Sequence, residues 1–225
     1  LSWIPTILLG FTAFGLVASS TYLFNDLLDI QSDRAHPTKS ARSFASGALS
    51  VLSGIKAIAA SAGLGFALAL AVGLPFAIMV LIYGVISVSY SFKLKSVAVL
   101  DVNVLAFLFC WRILSGSVMV DVQADTWLML ALGFFFLSLA VGKRVIELAK
   151  LPPNQTAQNG AVVGRDYYIE DLSVILNLGV GAGFASIIIV LIYAFLSGPT
   201  IIGRDISAIL IIVVLTFWQM RFWLM

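Results

Sequence analysis

Charge is scarce in this sequence of 225 residues: only 11% are Asp, Glu, Lys or Arg. A soluble domain carries about 25% charged and about 45–50% apolar residues. A chain that is 61% hydrophobic, with a mean hydropathy of +1.07, therefore holds more apolar surface than one water-facing globule can bury. It reads as an integral membrane protein. Cysteine is almost missing too, and the single Cys110 can form neither an internal disulfide nor a zinc cluster. Thirteen basic against eleven acidic side chains leave a formal charge of +2, too balanced and too diluted for a nucleic-acid binder. No basic n-region or small-residue cleavage pattern flanks the first apolar stretch, so no signal peptide is expected, and the chain starting at Leu1 reads as clipped. A P-loop, a Gly-x-Gly-x-x-Gly turn and a Ser-His-Asp set are missing as well, which leaves ATP-driven, dinucleotide and hydrolytic chemistry without support.

What is present is a series of long apolar runs. A spanning helix needs roughly 20 mostly apolar residues, and seven stretches approach that length: Ile4–Phe24, Leu52–Val72, Pro75–Tyr90, Val97–Val120, Thr126–Val145, Leu172–Leu196 and Ile206–Leu224. The second and third are joined by Gly73-Leu74-Pro75 and so form an antiparallel pair, since proline at the first helical position costs no hydrogen bond. No repeat, low-complexity tract or shift of composition marks a second domain. An all-α, single transmembrane bundle over residues 1–225 is expected.

Lys and Arg near helix ends favour the cytoplasmic side. In a seven-helix threading all of them gather on one face except Arg204, which lies opposite, and Arg112, which is inside a span. That orientation signal accounts for the lysines but not for the acids that cluster on the same face. The densest acidic run, Asn25-Asp26-Leu27-Leu28-Asp29-Ile30-Gln31-Ser32-Asp33, stands where the first span leaves the membrane. On a continuing helix Asn25, Asp29 and Asp33 fall at four-residue steps on one face, with Asp26 beside Asp29. Like charges so placed repel by a few tenths of a kcal/mol per pair, and Mg²⁺, a hard cation that bridges one or two carboxylates to phosphate, would neutralise them. Immediately downstream, Pro37 turns the chain back so that Lys39 and Arg42 can close on anionic oxygens, while His36 is at least as well explained as a solvated loop residue. Arg112, about eleven residues into the fourth span, must face a cavity, where it either pairs with a buried group or binds phosphate. Asp101 lies three turns away on the same helix, too far to pair with Arg112 directly. Lys143 and Glu147, four apart, suggest a local ion pair.

The run from Asn25-Asp26 through Asp29, Asp33-Arg34, His36-Pro37 and Lys39 to Arg42 and Ser46-Gly47 resembles the first aspartate-rich motif of the UbiA superfamily of membrane prenyltransferases. The likeness continues through Tyr90-Ser91 and Lys95, Leu100-Asp101-Val102, Arg112 with Gly116, and Gly142-Lys143-Arg144 with Glu147-Leu148. It is greatest for the branch that includes polyprenyl-phosphate phosphoribosyltransferases. The resemblance implies a nine-helix fold around a cavity open to the cytoplasm, of which this chain resembles helices two to eight, truncated at both ends. It also implies a Mg²⁺-dependent transferase of the bacterial plasma membrane that takes a diphosphate-bearing donor and a polyprenyl lipid, with its active site facing the cytoplasm. Prenyl transfer is the first reading, phosphoribosyl transfer to a polyprenyl phosphate the alternative, and a cation transporter lined by Asp26, Asp29 and Asp33 the remaining one. The residues implied for metal are Asp26, Asp29 and Asp33, with a second site at Asp166 and Glu170. Those implied for catalysis are Asp29, Asp33, Lys39 and Arg42. Substrate would be bound by Asn25, Lys39, Arg42, Lys95, Asp101 and Arg112, and by Lys143, Arg144, Arg165, Asp166 and Asp171. Two departures stand out: Ser43 follows Arg42 where the family usually has proline, and the loop Gly164-Arg165-Asp166-Tyr167-Tyr168-Ile169-Glu170-Asp171 replaces a clean pair of aspartates four apart.

Overall fold

A computed structural model of the chain describes residues 3–35, 38–150, 166–196 and 202–224. His36, Pro37 and Arg165 lie outside the described residues. The elements are helices α1 (Ile4–Leu28), α2 (Ile30–Arg34), α3 (Val51–Val72), α4 (Leu74–Phe92), α5 (Leu100–Met119), α6 (Thr126–Ala149), α7 (Leu172–Leu196) and α8 (Ile202–Trp223). Short 3-10 turns cover Lys39–Ala41, Leu94–Ser96 and Ile169–Asp171. Each of the seven expected spans has its helix. Six of these helices are long and apolar enough to cross a membrane, and Ile209–Trp223 of α8 adds a shorter apolar stretch. Their large apolar side chains point outward, Phe11 at 78% exposure and Phe217 at 71%, which suits a lipid surround and would not suit water. The protein is an integral membrane protein.

Local chemistry sets the helix ends. Ser50 caps α3 by accepting the Ser53 N–H, and Asp125 caps α6 by accepting that of Leu128 at 2.9 Å. Gly73, at φ 154°, both ends α3 and starts α4, a backbone conformation reserved for glycine. Two expected boundaries are corrected. Helix α5 begins at Leu100 and not at Val97, because Val99 takes a left-handed φ of 66° that a helix cannot include. Helix α6 runs past Val145 to Ala149, its charged last turn being neutralised by pairing within the protein.

The chain divides into two compact units. The first holds residues 1–94 and 111–123, and its main packing is α1 against α3, with α4 beside both. Gly65 makes the α1–α3 approach possible: a Cβ there would sit 2.8 Å from the backbone oxygen of Ala13 and 2.9 Å from Val17 Cγ2. Gly63, two residues earlier on α3, faces open space. Replacing Gly65 by Ala is therefore expected to cost about 1–3 kcal/mol, because backbone cannot yield as a side chain can. Gly63→Ala should leave the thermal midpoint in detergent unchanged or raise it. Equal midpoints for the two variants would remove this packing argument.

The second unit holds residues 95–110 and 124–225, with α6 packed along α7. Buried hydroxyls tie its helices together. Ser138 Oγ donates to the Gly179 carbonyl at 2.8 Å and accepts from Gln219 Nε2 at 2.8 Å and Trp223 Nε1 at 3.2 Å, while Ser186 donates to Ala131 O at 2.8 Å. Within lipid such bonds hold helices that have no hydrophobic reason to associate. An apolar core of Val102, Val141, Leu148 and Ile175 closes around Tyr167.

Candidate functional site

In the first unit the acidic run sits on a broken helix, not on the single continuous one expected. Helix α1 stops at Leu28 and Asp29 leaves helical geometry (φ −92°, ψ 7°), yet the four-residue ladder persists. The Asp29 N–H donates to Asn25 O at 3.0 Å, and that of Asp33 donates to Asp29 O at 2.8 Å. The acids thus stay on neighbouring turns. Asn25 Nδ2 donates to Asp29 Oδ2 at 3.1 Å, fixing that carboxylate. After the 3-10 turn, Arg42 reaches back and its Nη1 donates to both Asp26 Oδ1, at 2.8 Å, and Asp33 Oδ2, at 3.0 Å. The Asp33 side chain is only 5% exposed, so the guanidinium is what makes its burial as an anion affordable. Turn bonds from Ser46 N–H to Arg42 O and from Leu49 N–H to Ser43 O close the loop around Ser43, and the Arg34 guanidinium ties it to Ala45 O at 3.1 Å.

Among the described residues no three His, Cys, Asp or Glu side chains are arranged as a ready metal cage. The donor chemistry nevertheless suits a hard cation. Two carboxylate oxygens, Asp26 Oδ1 and Asp33 Oδ2, already converge on one cationic nitrogen, with Asp29 on the turn between them.

Arg112 lies deeper in the same unit. Its Nη2 donates to the hydroxyls of Tyr83 at 2.5 Å and Tyr22 at 3.4 Å, and its guanidinium carbon is 5.1 Å from the Tyr83 ring centroid. Tyr22 precedes Asn25 and Asp26 by three and four residues, so its hydroxyl lies on the face of α1 that carries the acids. Neither tyrosine was singled out in the sequence, where both are embedded in apolar runs; their helical spacing to charged residues was the available signal.

In the second unit Asp101 is wholly buried and Arg144 is 1% exposed. Arg144 Nη2 donates to Asp101 Oδ2 at 2.5 Å, and its Nη1 donates to Glu147. Glu147 thus takes a bond from Arg144, three residues back, a partner the sequence did not suggest; Lys143, four back, is exposed. The Tyr167 hydroxyl donates to Asp101 Oδ1 at 2.6 Å and accepts the Val99 N–H at 2.8 Å. Burial, and then the bond to Asp101, push the Tyr167 phenol up to about 12, so it remains a neutral donor at any working pH. Tyr167 was read only as a neighbour of acids. Lys95 stands on the 3-10 turn before Val99, half-buried. Asp166 and Glu170 do not share a helical face, because Asp166 precedes an extended Tyr168 and the turn begins only at Ile169. The Asp171 carboxylate is occupied in capping that turn, accepting the Tyr168 N–H at 2.8 Å.

Comparison with known proteins agrees with this geometry. The model of the UbiA prenyltransferase family matches residues 1–145. An uncharacterized protein of Sinorhizobium fredii is 36% identical over 218 residues, covering 96% of this chain and 42% of that protein. A decaprenyl-phosphate phosphoribosyltransferase of Mycolicibacterium smegmatis is 36% identical over 144 residues, 62% of this chain and 44% of that enzyme. The chain spans less than half the length of either relative. A solved UbiA homolog from Archaeoglobus fulgidus, bound to GPP and Mg²⁺, shares the fold with a TM-score of 0.77 at 18% identity, over 96% of this chain and 75% of that one. With the aspartate-rich run at the end of a membrane span and a family match over most of the spans, this chain belongs to the UbiA prenyltransferase family.

Proposed function

We propose that this protein transfers a group from a diphosphate-bearing donor in a Mg²⁺-dependent reaction, with a polyprenyl lipid as one of its two substrates. The observation that carries the reading is the convergence of Asp26 and Asp33 on Arg42 at the membrane end of α1, with Asp29 and Asn25 beside them. Family membership and the Mg²⁺ and GPP held by the archaeal homolog support it. Asp26, Asp29 and Asp33 would hold the metal, which would supply neutralisation of the charge that grows on the leaving diphosphate.

The chain's own residues do the rest. Asn25 orients the Asp29 carboxylate, and Lys39 and Arg42 donate hydrogen bonds to phosphate oxygens, Arg42 turning from carboxylate to phosphate as the donor arrives. The bond between the electrophilic carbon and the diphosphate oxygen breaks with its electron pair on oxygen, where these cations stabilise it. The acceptor supplies the pair for the new bond and gives up its proton. Arg112, with Tyr22 and Tyr83 fixing its guanidinium, is a substrate contact deeper in the same unit. The family resemblance assigns Lys95 and Lys143 to phosphate, and Arg165 and Asp166 to the substrate's polar groups.

The transferred group is read first as the prenyl chain. The likeness to a decaprenyl-phosphate phosphoribosyltransferase favours a second reading, in which the ribose anomeric carbon is attacked by a lipid phosphate. The purified protein with Mg²⁺ should be given phosphoribosyl diphosphate plus polyprenyl phosphate, or polyprenyl diphosphate plus candidate acceptors, and its products weighed by mass spectrometry. A lipid-linked phosphoribose selects the second reading, a prenylated acceptor the first, and neither product overturns both.

We place the site on the cytoplasmic face of the membrane on the strength of the basic loops, and take that membrane as a bacterial plasma membrane from the bacterial relatives. Cysteines introduced at Ser40 and Ser96 should then react with an impermeant maleimide only from the cytoplasmic side, and one at Asp121 only from the other. Reaction of Ser40→Cys and Asp121→Cys from the same side would break the threading.

A further inference from the structure

We propose that Tyr167 is a positioning residue that sets the placement of Lys95, reaching it through the backbone of the segment between α4 and α5. The inference rests on the reading of Lys95 as a contact to the donor's anionic oxygens. Three observations in the second unit carry it. The left-handed φ of 66° at Val99 is an outlier for a β-branched residue, and such a conformation persists only where its surroundings impose it. The Val99 N–H is held by the Tyr167 hydroxyl at 2.8 Å, and the Asp166 N–H donates to the Ser96 carbonyl at 3.0 Å. Residues 166 and 167 therefore grip the chain on its α5 side at two points, and Lys95 is the residue just before the first of them. The grip is itself anchored. Tyr167 is 3% exposed and donates to Asp101, which Arg144 holds at 2.5 Å, and the Arg144 guanidinium lies 5.6 Å from the Tyr167 ring centroid with its other nitrogen on Glu147.

One hydroxyl thus serves as donor to a buried carboxylate and as acceptor for a strained amide, a pair of bonds that phenylalanine cannot make while filling the same space. The arrangement ties the loop before α7 to the turn carrying Lys95, so the backbone from which that side chain projects is set before any substrate is present.

Tyr167→Phe in the purified protein tests this, with Lys95→Gln and the double variant alongside. The donor KM should rise by about tenfold or more with kcat within about threefold, and the double variant should be no worse than Lys95→Gln alone, since both changes remove one interaction. In a Ser96→Cys background, Tyr167→Phe should speed maleimide labelling by about fivefold or more, a direct reading of the released segment. An unchanged donor KM, or effects of the two substitutions that simply add, would overturn the assignment. If the parent protein transfers nothing from either donor, the transferase reading fails by itself, and labelling alone then decides: a rate unaltered by Tyr167→Phe overturns the positioning role, and a faster one supports it.

Discussion

Asp29→Asn is expected to abolish turnover, by about a thousandfold or more and so about 4 kcal/mol of transition-state stabilisation, without unfolding the protein. The side chain keeps its size and one oxygen to accept the Asn25 amide, and the backbone bonds through Asp29 that join α1 to α2 do not involve the carboxylate. What is lost is the negative charge between Asp26 and Asp33 that, in the proposed reaction, would complete an oxygen set for Mg²⁺. Asp33→Asn should lose turnover as well, but with a lower thermal midpoint, because Asp33 is buried on Arg42. Steady-state product formation at saturating Mg²⁺, beside thermal unfolding in detergent, separates the two. Activity near the parent level in Asp29→Asn would remove the aspartate-rich face from the mechanism.

The largest effect on stability is expected at Arg144. Replacing it by Met leaves Asp101, a wholly buried carboxylate, and Glu147 without the guanidinium that both share, and breaking a buried pair in this way costs about 3–5 kcal/mol. Lys at the same position should recover only part of the loss, since an ammonium cannot present two nitrogens to two carboxylates in a fixed fork. Removing the partner charge as well, in Arg144→Met with Asp101→Asn, should return most of the stability. Thermal or denaturant midpoints of the three variants check this. A single Arg144→Met variant as stable as the parent would show that the pair is not needed to keep Asp101 buried.

The seven helices were legible because apolar runs of about 20 residues leave lipid few alternatives. Their ends were less so. Nothing in Ser96-Val97-Ala98-Val99 marks a left-handed residue, since valine avoids that region, and the hydroxyl that accepts the Val99 N–H belongs to a tyrosine 68 positions downstream. The acidic run, its spacing and the cations Lys39 and Arg42 that follow it could be read from short-range pattern. The break at Asp29 could not, nor could Arg42 as the shared partner of Asp26 and Asp33, for periodicity places side chains on faces without saying which ones meet. Tyr22 and Tyr83 carry no mark in the sequence, and Tyr167 shows there only as a neighbour of acids, for the same reason. Each satisfies an ionic group brought to it by another helix or a distant loop. Arg144 stood out as a cation suited to phosphate, but its burial between two carboxylates follows only from the packing of α6 with the start of α5.

The claim that this chain is a diphosphate-donor transferase is tested most directly by following inorganic diphosphate. Both readings of the transferred group release it, whereas ion transport does not. With the purified protein in vesicles, Mg²⁺ and both donor and acceptor pairs, one diphosphate should appear for each lipid product. Release should stop with a chelator and should be missing in Asp29→Asn. Cation flux across the vesicle membrane without diphosphate release, or release that persists undiminished in the chelator, would contradict the account.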